Sequence, residues 1–215
     1  MKISEIFYSI QGEIDVGKPA IFIRLSGCNL IKKGKGCFWC DTKYAELGKE
    51  MSVESVIEMV DKINCQTIII TGGEPFLQSG ELLKLIGMLT VKGHKIYIET
   101  NGTLLDDYNV ASMILIDGIN CSPKRQEINF KVLKALLMFG NIRFKFVYQN
   151  RKDLWWEKVI KKLNIPKQRV WIMPEGKNEV EQIGLMAEVI EYCKRTGYNF
   201  TPRLQALVYN GMRGV

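Results

Sequence analysis

The chain has 215 residues, enough for one substantial domain and short for two. Its content of 47% hydrophobic and 10% aromatic residues excludes a disordered or fibrous protein. The formal charge of +7 is spread along the chain, short clusters such as Lys32–Lys35 and Lys161–Lys162 included; solvated helix faces account for it better than a nucleic-acid surface, and an anionic substrate is equally compatible.

The N-terminal stretch "MKISEIFYSIQGE" alternates apolar and polar residues and has no apolar secretory core, and no apolar run approaches the ~20 residues of a membrane helix. These features predict a cytoplasmic protein with no membrane partner, whose six cysteines stay reduced rather than forming a disulfide framework. "AIFIRLSG" (20–27) predicts a strand, and "SVESVIEMVDKI" (52–63) a helix capped by Ser52, with Val53, Val56, Ile57, Val60 and Ile63 on one stripe. "QTIIIT" (66–71) is a buried strand ending at "GGEP", followed by a helix that Ser79 is expected to cap. "KIYIET" (95–100) and "MILID" (113–117) predict further strands. A helix over 128–139, the strand "IRFKFVY" (142–148), the helix "DLWWEKVIKKL" (153–163), the strand "RVWIM" (169–173) and a long helix from Asn178 to Arg195 complete the series. No linker or repeat interrupts it.

About six strand–helix units in a single domain of residues 1–215 predict an α/β fold, a partial (βα)6 TIM-like barrel open on one side. In such folds function collects at the C-terminal ends of the strands. The residues there are "GCNL", "TGGEP", "TNGT", "INCSPK" and "MPEGK", rich in Gly, Pro, Asn, Ser and charge.

Cys28, Cys37 and Cys40 share one loop, "CNLIKKGKGCFWC". A structural zinc site would need a fourth ligand from Cys65, Cys121, Cys193 or His94, and it usually comes as two short-spaced cysteine pairs, of which this chain has one. Cys65 and Cys193 read as small core hydrophobes; Cys121, on a mouth loop, is the serious candidate. The other reading is an iron–sulfur cube on three thiolates, with one iron open to a chelating ligand. In "TGGEP", two glycines let backbone approach a ligand, N–H groups there can bind a carboxylate, and Glu74 suits an ammonium, so the turn fits an α-amino acid such as methionine. A plain strand-to-helix turn is the alternative.

Cys28, Cys37, Cys40 and the downstream Gly72-Gly73-Glu74 resemble the radical S-adenosylmethionine superfamily, whose fold is a full or partial α/β barrel. Within it, "EIFYSIQGE" (5–13), "RLSGCN" (24–29), "FWCDT" (38–42), "TGGEP" and "CSPK" (121–124) resemble the 7-carboxy-7-deazaguanine synthases. The resemblance implies conversion of 6-carboxy-5,6,7,8-tetrahydropterin to 7-carboxy-7-deazaguanine with release of ammonia, on the route to queuosine or archaeosine. It implies a 4Fe–4S cluster on Cys28, Cys37 and Cys40, with S-adenosylmethionine contacted by Gly73, Glu74, Ser122-Pro123-Lys124 and Met173-Pro174-Glu175-Gly176. The pterin would meet Ile10-Gln11-Gly12, Arg24, Thr71 and the terminal Val215, while Thr42 would bind Mg²⁺.

It also implies a homodimer, an electron donor of the flavodoxin or ferredoxin type, and no direct nucleic-acid partner. Two features depart from the family: the spacing is C-x8-C-x2-C where the superfamily commonly has C-x3-C-x2-C, and Ile14 stands where "QGEG" is usual, which leaves the path of that loop open. Arg24 as a fork for a carboxylate and Thr42 as an oxygen ligand for Mg²⁺ agree with this chemistry. The one histidine, His94, precedes a strand at the bottom of the barrel, so no histidine base is expected in the site. The rival readings are an activase that installs a glycyl radical on a partner enzyme, and a non-enzymatic zinc-binding module.

Overall fold

The computed structural model describes residues 1–37, 40, 47–210, 212 and 214. The strands are β1 (Lys2–Ile10), β2 (Pro19–Leu25), β3 (Lys49–Glu50), β4 (Thr67–Gly72), β5 (Lys95–Thr100), β6 (Gly118–Cys121), β7 (Ile142–Tyr148), β8 (Val170–Pro174) and β9 (Asn199–Phe200). The helices are α1 (Asn29–Lys32), α2 (Val53–Val60), α3 (Ser79–Val91), α4 (Asp107–Ile114), α5 (Phe130–Leu137), α6 (Trp156–Leu163), α7 (Glu179–Thr196) and α8 (Leu204–Tyr209).

Among the described residues the strands make one sheet, in the order β3-β1-β2-β4-β5-β6-β7-β8-β9. From β2 to β9 every pairing is parallel, and β1 and β3 add an antiparallel edge. The six strands from β2 to β8 are the expected six units. In a flat sheet β2 and β7, four spacings apart, would be separated by roughly 19 Å. Instead the β1–β2 loop reaches β7 through two ion pairs, Glu13 with Lys145 and Asp15 with Arg143. The sheet therefore curls into a partial barrel.

Residue alternation assigns the two faces. Ile21, Ile23, Ile68, Ile70, Ile96, Ile98, Ile119, Phe144, Phe146 and Ile172 belong to one buried core with helix residues such as Val56, Leu82, Leu85 and Leu136. Burying a side chain of this size stabilises the fold by about 1.5–3 kcal/mol. The intervening positions, Arg24, Thr71, Glu99, Asn120 and Lys145, face the barrel interior, where they line a cavity.

Two local expectations are corrected. "MILID" is not a strand: residues 107–114 are α4, started by Asp106, whose carboxylate accepts from the Asn109 amide at 2.8 Å. The strand is the next segment, "GINC", four residues buried on both faces and lacking the alternation that marks a half-buried strand. Ser79 is the first residue of α3 rather than its cap, because the chain enters through a 3-10 turn at Pro75–Gln78. Ser52 does cap α2, accepting from the Ser55 amide at 3.1 Å. No helix among the described residues is long and apolar enough to cross a membrane.

β7, α6 and α7 meet in an aromatic cluster. Trp156, fully buried, lies near Phe146, Tyr148 and Tyr192, and its indole donates to the Tyr192 hydroxyl at 3.2 Å. Replacing Trp156 by Ala is expected to destabilise the protein by about 3–5 kcal/mol, measured as a lowered urea midpoint with an unchanged slope.

Candidate active site at the mouth of the barrel

The C-terminal ends of the parallel strands surround a cavity of about 550 Å³. Cys28, Cys37 and Cys40 line it, together with Gly73, Ser122, Lys124, Met173, Glu175 and Gly176. Ile10, Gln11, Gly12, Arg24 and Thr71 line the same space. The two sets of residues anticipated for cofactor and substrate therefore share one chamber. Pro123 and Pro174 shape its loops without lining it. Thr42 and Val215 lie outside the described residues, although Met212 and Gly214 bring the chain end to the cavity wall.

The cysteine loop is held at several points. The Asn29 side chain donates to Thr103 Oγ1 at 2.9 Å and accepts from Asn101 Nδ2 at 3.0 Å, tying α1 to the end of β5. Lys33 and Lys35 both pair with Glu127, tying the loop to the turn after β6. Lys124 donates to Ser122 Oγ at 2.7 Å.

Among the described residues no three His, Cys, Asp or Glu side chains are already gathered at metal-binding distance. The three thiols nevertheless fit a sulfide-bridged iron site by their chemistry and by sharing one cavity wall. Burial pushes the Cys28 thiol up, with the charges of Glu74 and Cys37 adding to it. Burial also raises Cys37, with Cys40 adding and Lys124 opposing. A cationic iron site would supply the charge that makes these three thiolates stable together.

The Gly-Gly-Glu turn differs from its expected role. The Gly73 and Glu74 N–H groups donate to the carbonyls of Leu25 (3.1 Å) and Gly27 (2.9 Å), so neither is left for a ligand carboxylate. Glu74 is fully buried and does not line the cavity. Its carboxylate accepts from Phe76 N (3.1 Å), Thr100 Oγ1 (2.7 Å) and Asn101 N (2.7 Å). Burial pushes its pKa up to about 6 against the pull of the Asn101 and Thr100 hydrogen bonds. The glycines serve close approach: a Cβ on Gly73 would collide with the Gly27 carbonyl and crowd the Cys28 amide at 2.9 Å.

Cys121 is also corrected. It ends β6 fully buried, and burial raises its thiol pKa strongly. A Cβ on Gly102 would come within 2.6 Å of its sulfur and 2.7 Å of Leu133, which sets Cys121 on the helix-facing side, outside the cavity. Cys65 donates weakly to the carbonyls of Pro19 and Thr67, and Cys193 is buried in α7, as expected of packing residues. His94 lies between α3 and β5, with Nδ1 3.3 Å from the Gln66 carbonyl, away from the site.

Arg24 donates from Nε to Glu5 at 2.7 Å and stacks over Phe7 at 5.8 Å, which fixes its plane. Thr71 Oγ1 donates to Glu99 at 2.7 Å. In the β1–β2 loop the left-handed residues are Asp15 (φ 59°) and Gly17 (φ 86°), so Ile14 avoids the positive φ and is buried instead.

Sequence reasoning missed Glu13, Glu99, Lys145, Arg203 and Gln205, all of which line the cavity. A signal existed for Lys145, a charge between Phe144 and Phe146 in a strand buried on both sides. Burial works against its charge, but Glu13 and Glu99 outweigh that and hold its pKa above the ordinary lysine value.

Comparison with known proteins agrees with this arrangement. The model of the Radical SAM superfamily matches residues 22–122. In fold the chain is similar to QueE from Escherichia coli, with a TM-score of 0.72 over 94% of this chain and 93% of that one at 22% identity. It is also similar to SuiB from Streptococcus suis bound to S-adenosylmethionine, with a TM-score of 0.52 at 14% identity, over 76% of this chain and 47% of that one. A partial barrel with three cysteines at its mouth thus has the radical S-adenosylmethionine architecture. The 7-carboxy-7-deazaguanine synthase of Hyperthermus butylicus is 33% identical over 97% of this chain and 92% of its own length. That of Pyrobaculum aerophilum is 30% identical over 100% and 97%. The chain belongs to the 7-carboxy-7-deazaguanine synthase family.

Gly73→Ala is expected to displace the Gly27–Cys28 backbone. Iron and sulfide content after anaerobic reconstitution should fall to less than half that of the wild type, while the far-ultraviolet circular dichroism stays unchanged.

Proposed function

We propose that this protein converts 6-carboxy-5,6,7,8-tetrahydropterin to 7-carboxy-7-deazaguanine with release of ammonia, as a single-domain radical S-adenosylmethionine lyase on the route to queuosine or archaeosine. The observation that carries this reading is one chamber lined both by three cysteines and by Gln11, Arg24, Thr71, Glu99 and Lys145. Full-length similarity to synthases of this name supports it and favours neither the activase nor the zinc module.

In this reading Cys28, Cys37 and Cys40 hold a 4Fe–4S cluster, and Gly73, Ser122-Pro123-Lys124 and Met173-Pro174-Glu175-Gly176 hold S-adenosylmethionine. The chemistry that the bound cluster and S-adenosylmethionine supply is radical generation. The chain's own residues bind and orient. Arg24, with its guanidinium plane set by Glu5 and Phe7, offers a two-point fork to the substrate carboxylate and shares it with Glu5. Gln11 and the backbone of Ile10 and Gly12 read the amide edge of the pterin, and Thr71 and Glu99 present oxygen acceptors to its N–H groups. With His94 at the far end, the protein contributes position and shielding from water rather than a histidine base.

Thr42 is proposed to ligate Mg²⁺, and Val215 to reach the pterin. That Met212 and Gly214 line the cavity supports the second assignment. A homodimer and a flavodoxin- or ferredoxin-type donor complete the proposal. A cytoplasmic setting belongs to the same proposal.

The decisive experiment is an anaerobic assay with the pterin, S-adenosylmethionine and a reductant. It is expected to yield 7-carboxy-7-deazaguanine and ammonia in equal amounts. Cys37→Ala should lose the cluster chromophore and at least ~99% of turnover, whereas Cys65→Ala and Cys193→Ala should keep both, as expected of a ligand against packing residues. Stoichiometric zinc without sulfide would overturn the reading. Separately, Thr42→Val is expected to raise the Mg²⁺ concentration needed for half-maximal rate about tenfold, as for loss of one oxygen ligand. The Kd for S-adenosylmethionine without substrate should stay unchanged.

A further inference from the structure

Three consecutive residues, Arg203, Leu204 and Gln205, stand between the two binding segments proposed above and are bonded to both. On the cofactor side, the Arg203 guanidinium donates from Nη1 to the Gly176 carbonyl at 2.8 Å. The Arg203 amide donates to Gln182 Oε1 at 3.0 Å, and the Gln182 side chain in turn donates to the Pro174 carbonyl at 2.8 Å. On the substrate side, the Leu204 amide donates to the Gly12 carbonyl at 2.7 Å, and Gln205 Nε2 donates to Glu13 Oε1 at 3.3 Å. Arg203 Nε lies 3.5 Å from the same Glu13 oxygen, while the other Glu13 oxygen is paired with Lys145. Arg203 and Gln182 are buried.

We infer that Arg203 is a positioning residue that couples the two sites, so that ordering the 174–176 loop around S-adenosylmethionine also orders the Gly12–Glu13 loop around the pterin, and the reverse. The inference rests on the assignment of those loops under Proposed function. Its physical basis is the short path: one side chain touches the carbonyl of one loop and the carboxylate of the other. The guanidinium is hydrogen-bonded to the first and ion-paired with the second, so a shift of either loop moves the charge that the other faces in a buried setting. Gly12, Glu13, Gly176, Arg203 and Gln205 on this path all line the cavity. Lys145 holds Glu13 from the strand side, so the substrate loop has a fixed anchor against which Arg203 acts.

The test uses the full-length holoprotein with its cluster reconstituted and left oxidised, without reductant, so that no turnover occurs. Anaerobic titration calorimetry gives the Kd for S-adenosylmethionine with and without saturating 6-carboxy-5,6,7,8-tetrahydropterin. In the wild type the pterin is expected to tighten cofactor binding by roughly fivefold or more, and titration in the other order must return the same factor. In Arg203→Met that ratio is expected to fall to within about twofold of one, with the Kd for S-adenosylmethionine alone changing less than the ratio does. Gln205→Ala removes one arm to Glu13 while keeping the buried guanidinium. It serves as the second variant should Arg203→Met fail to fold, and it should at least halve the ratio. General loss of packing would weaken both ligands and leave the ratio intact. A wild-type ratio of one with both ligands bound, or a wild-type ratio retained in the folded variants, overturns the inference. A wild-type protein that binds neither ligand overturns the assignment of the two loops instead.

Discussion

The Glu74 carboxylate, buried at the end of β4, receives hydrogen bonds from Phe76, Thr100 and Asn101, and the cysteine end of the cavity takes its shape from that knot. Through Thr100 and Asn101 it fixes the end of β5, and through the Gly73 and Glu74 amides the same turn holds the Leu25 and Gly27 carbonyls just before Cys28. Asn101 then reaches Asn29 on the other side of Cys28. A buried carboxylate with three donors is expensive to replace, since removing it leaves N–H groups unpaired at about 1–3 kcal/mol each. The acid at this position therefore acts on the cysteine loop at one remove. It sets where Cys28 begins and does not line the cavity.

The opposite side of the chamber is built on charge. The β1–β2 loop is fastened to β7 by Glu13 with Lys145 and Asp15 with Arg143, and to α8 by Arg203 and Gln205. Ion pairs of this kind contribute little net stability against an apolar alternative, yet losing one partner costs about 3–5 kcal/mol. Their effect is geometric: they keep curled a sheet whose two edge strands, β3 and β9, do not pair with each other among the described residues. The barrel interior can then stay polar and open to a ligand, where a closed eight-stranded barrel would be filled by its own side chains.

The long periodic elements were legible in the sequence because each states its period many times. Ser52 and the stripe on α2, the alternation of β7 and the length of α7 all fall where the pattern puts them. "MILID" and "GINC" were not, since a four-residue strand buried on both faces carries no period and a helix end rich in Ile and Leu imitates one. Residue type identified the cysteine loop and Arg24. It could not identify Glu13, Arg203 or Gln205, whose roles depend on segments 132 to 192 residues apart being folded together. It also misjudged Cys121, because whether a side chain at a strand end faces the chamber or the helices turns on one residue of register, and Glu74, which the turn after β4 folds inward onto the Phe76, Thr100 and Asn101 donors.

The two ends of the chamber differ in how they are built, and the difference suits what each must do. At the cysteine end, short hydrogen bonds, among them those to the Glu74 carboxylate, join β4, β5 and α1, and Lys33 and Lys35 add ion pairs from the rim. Thiols raised by burial and by one another gain most from a cationic partner, so binding energy there comes chiefly from the metal site, and the scaffold needs only to hold the loop in register. Under the proposed function the ligands at the other end are a nucleoside and a bicyclic acid, which offer several weaker contacts each. A wall of paired charges and amides, already oriented before either ligand arrives, spares those contacts the entropy of ordering side chains. Under that same reading, rigidity at the first end keeps the reacting atoms in place, and preorganised charge at the second keeps the substrate against them.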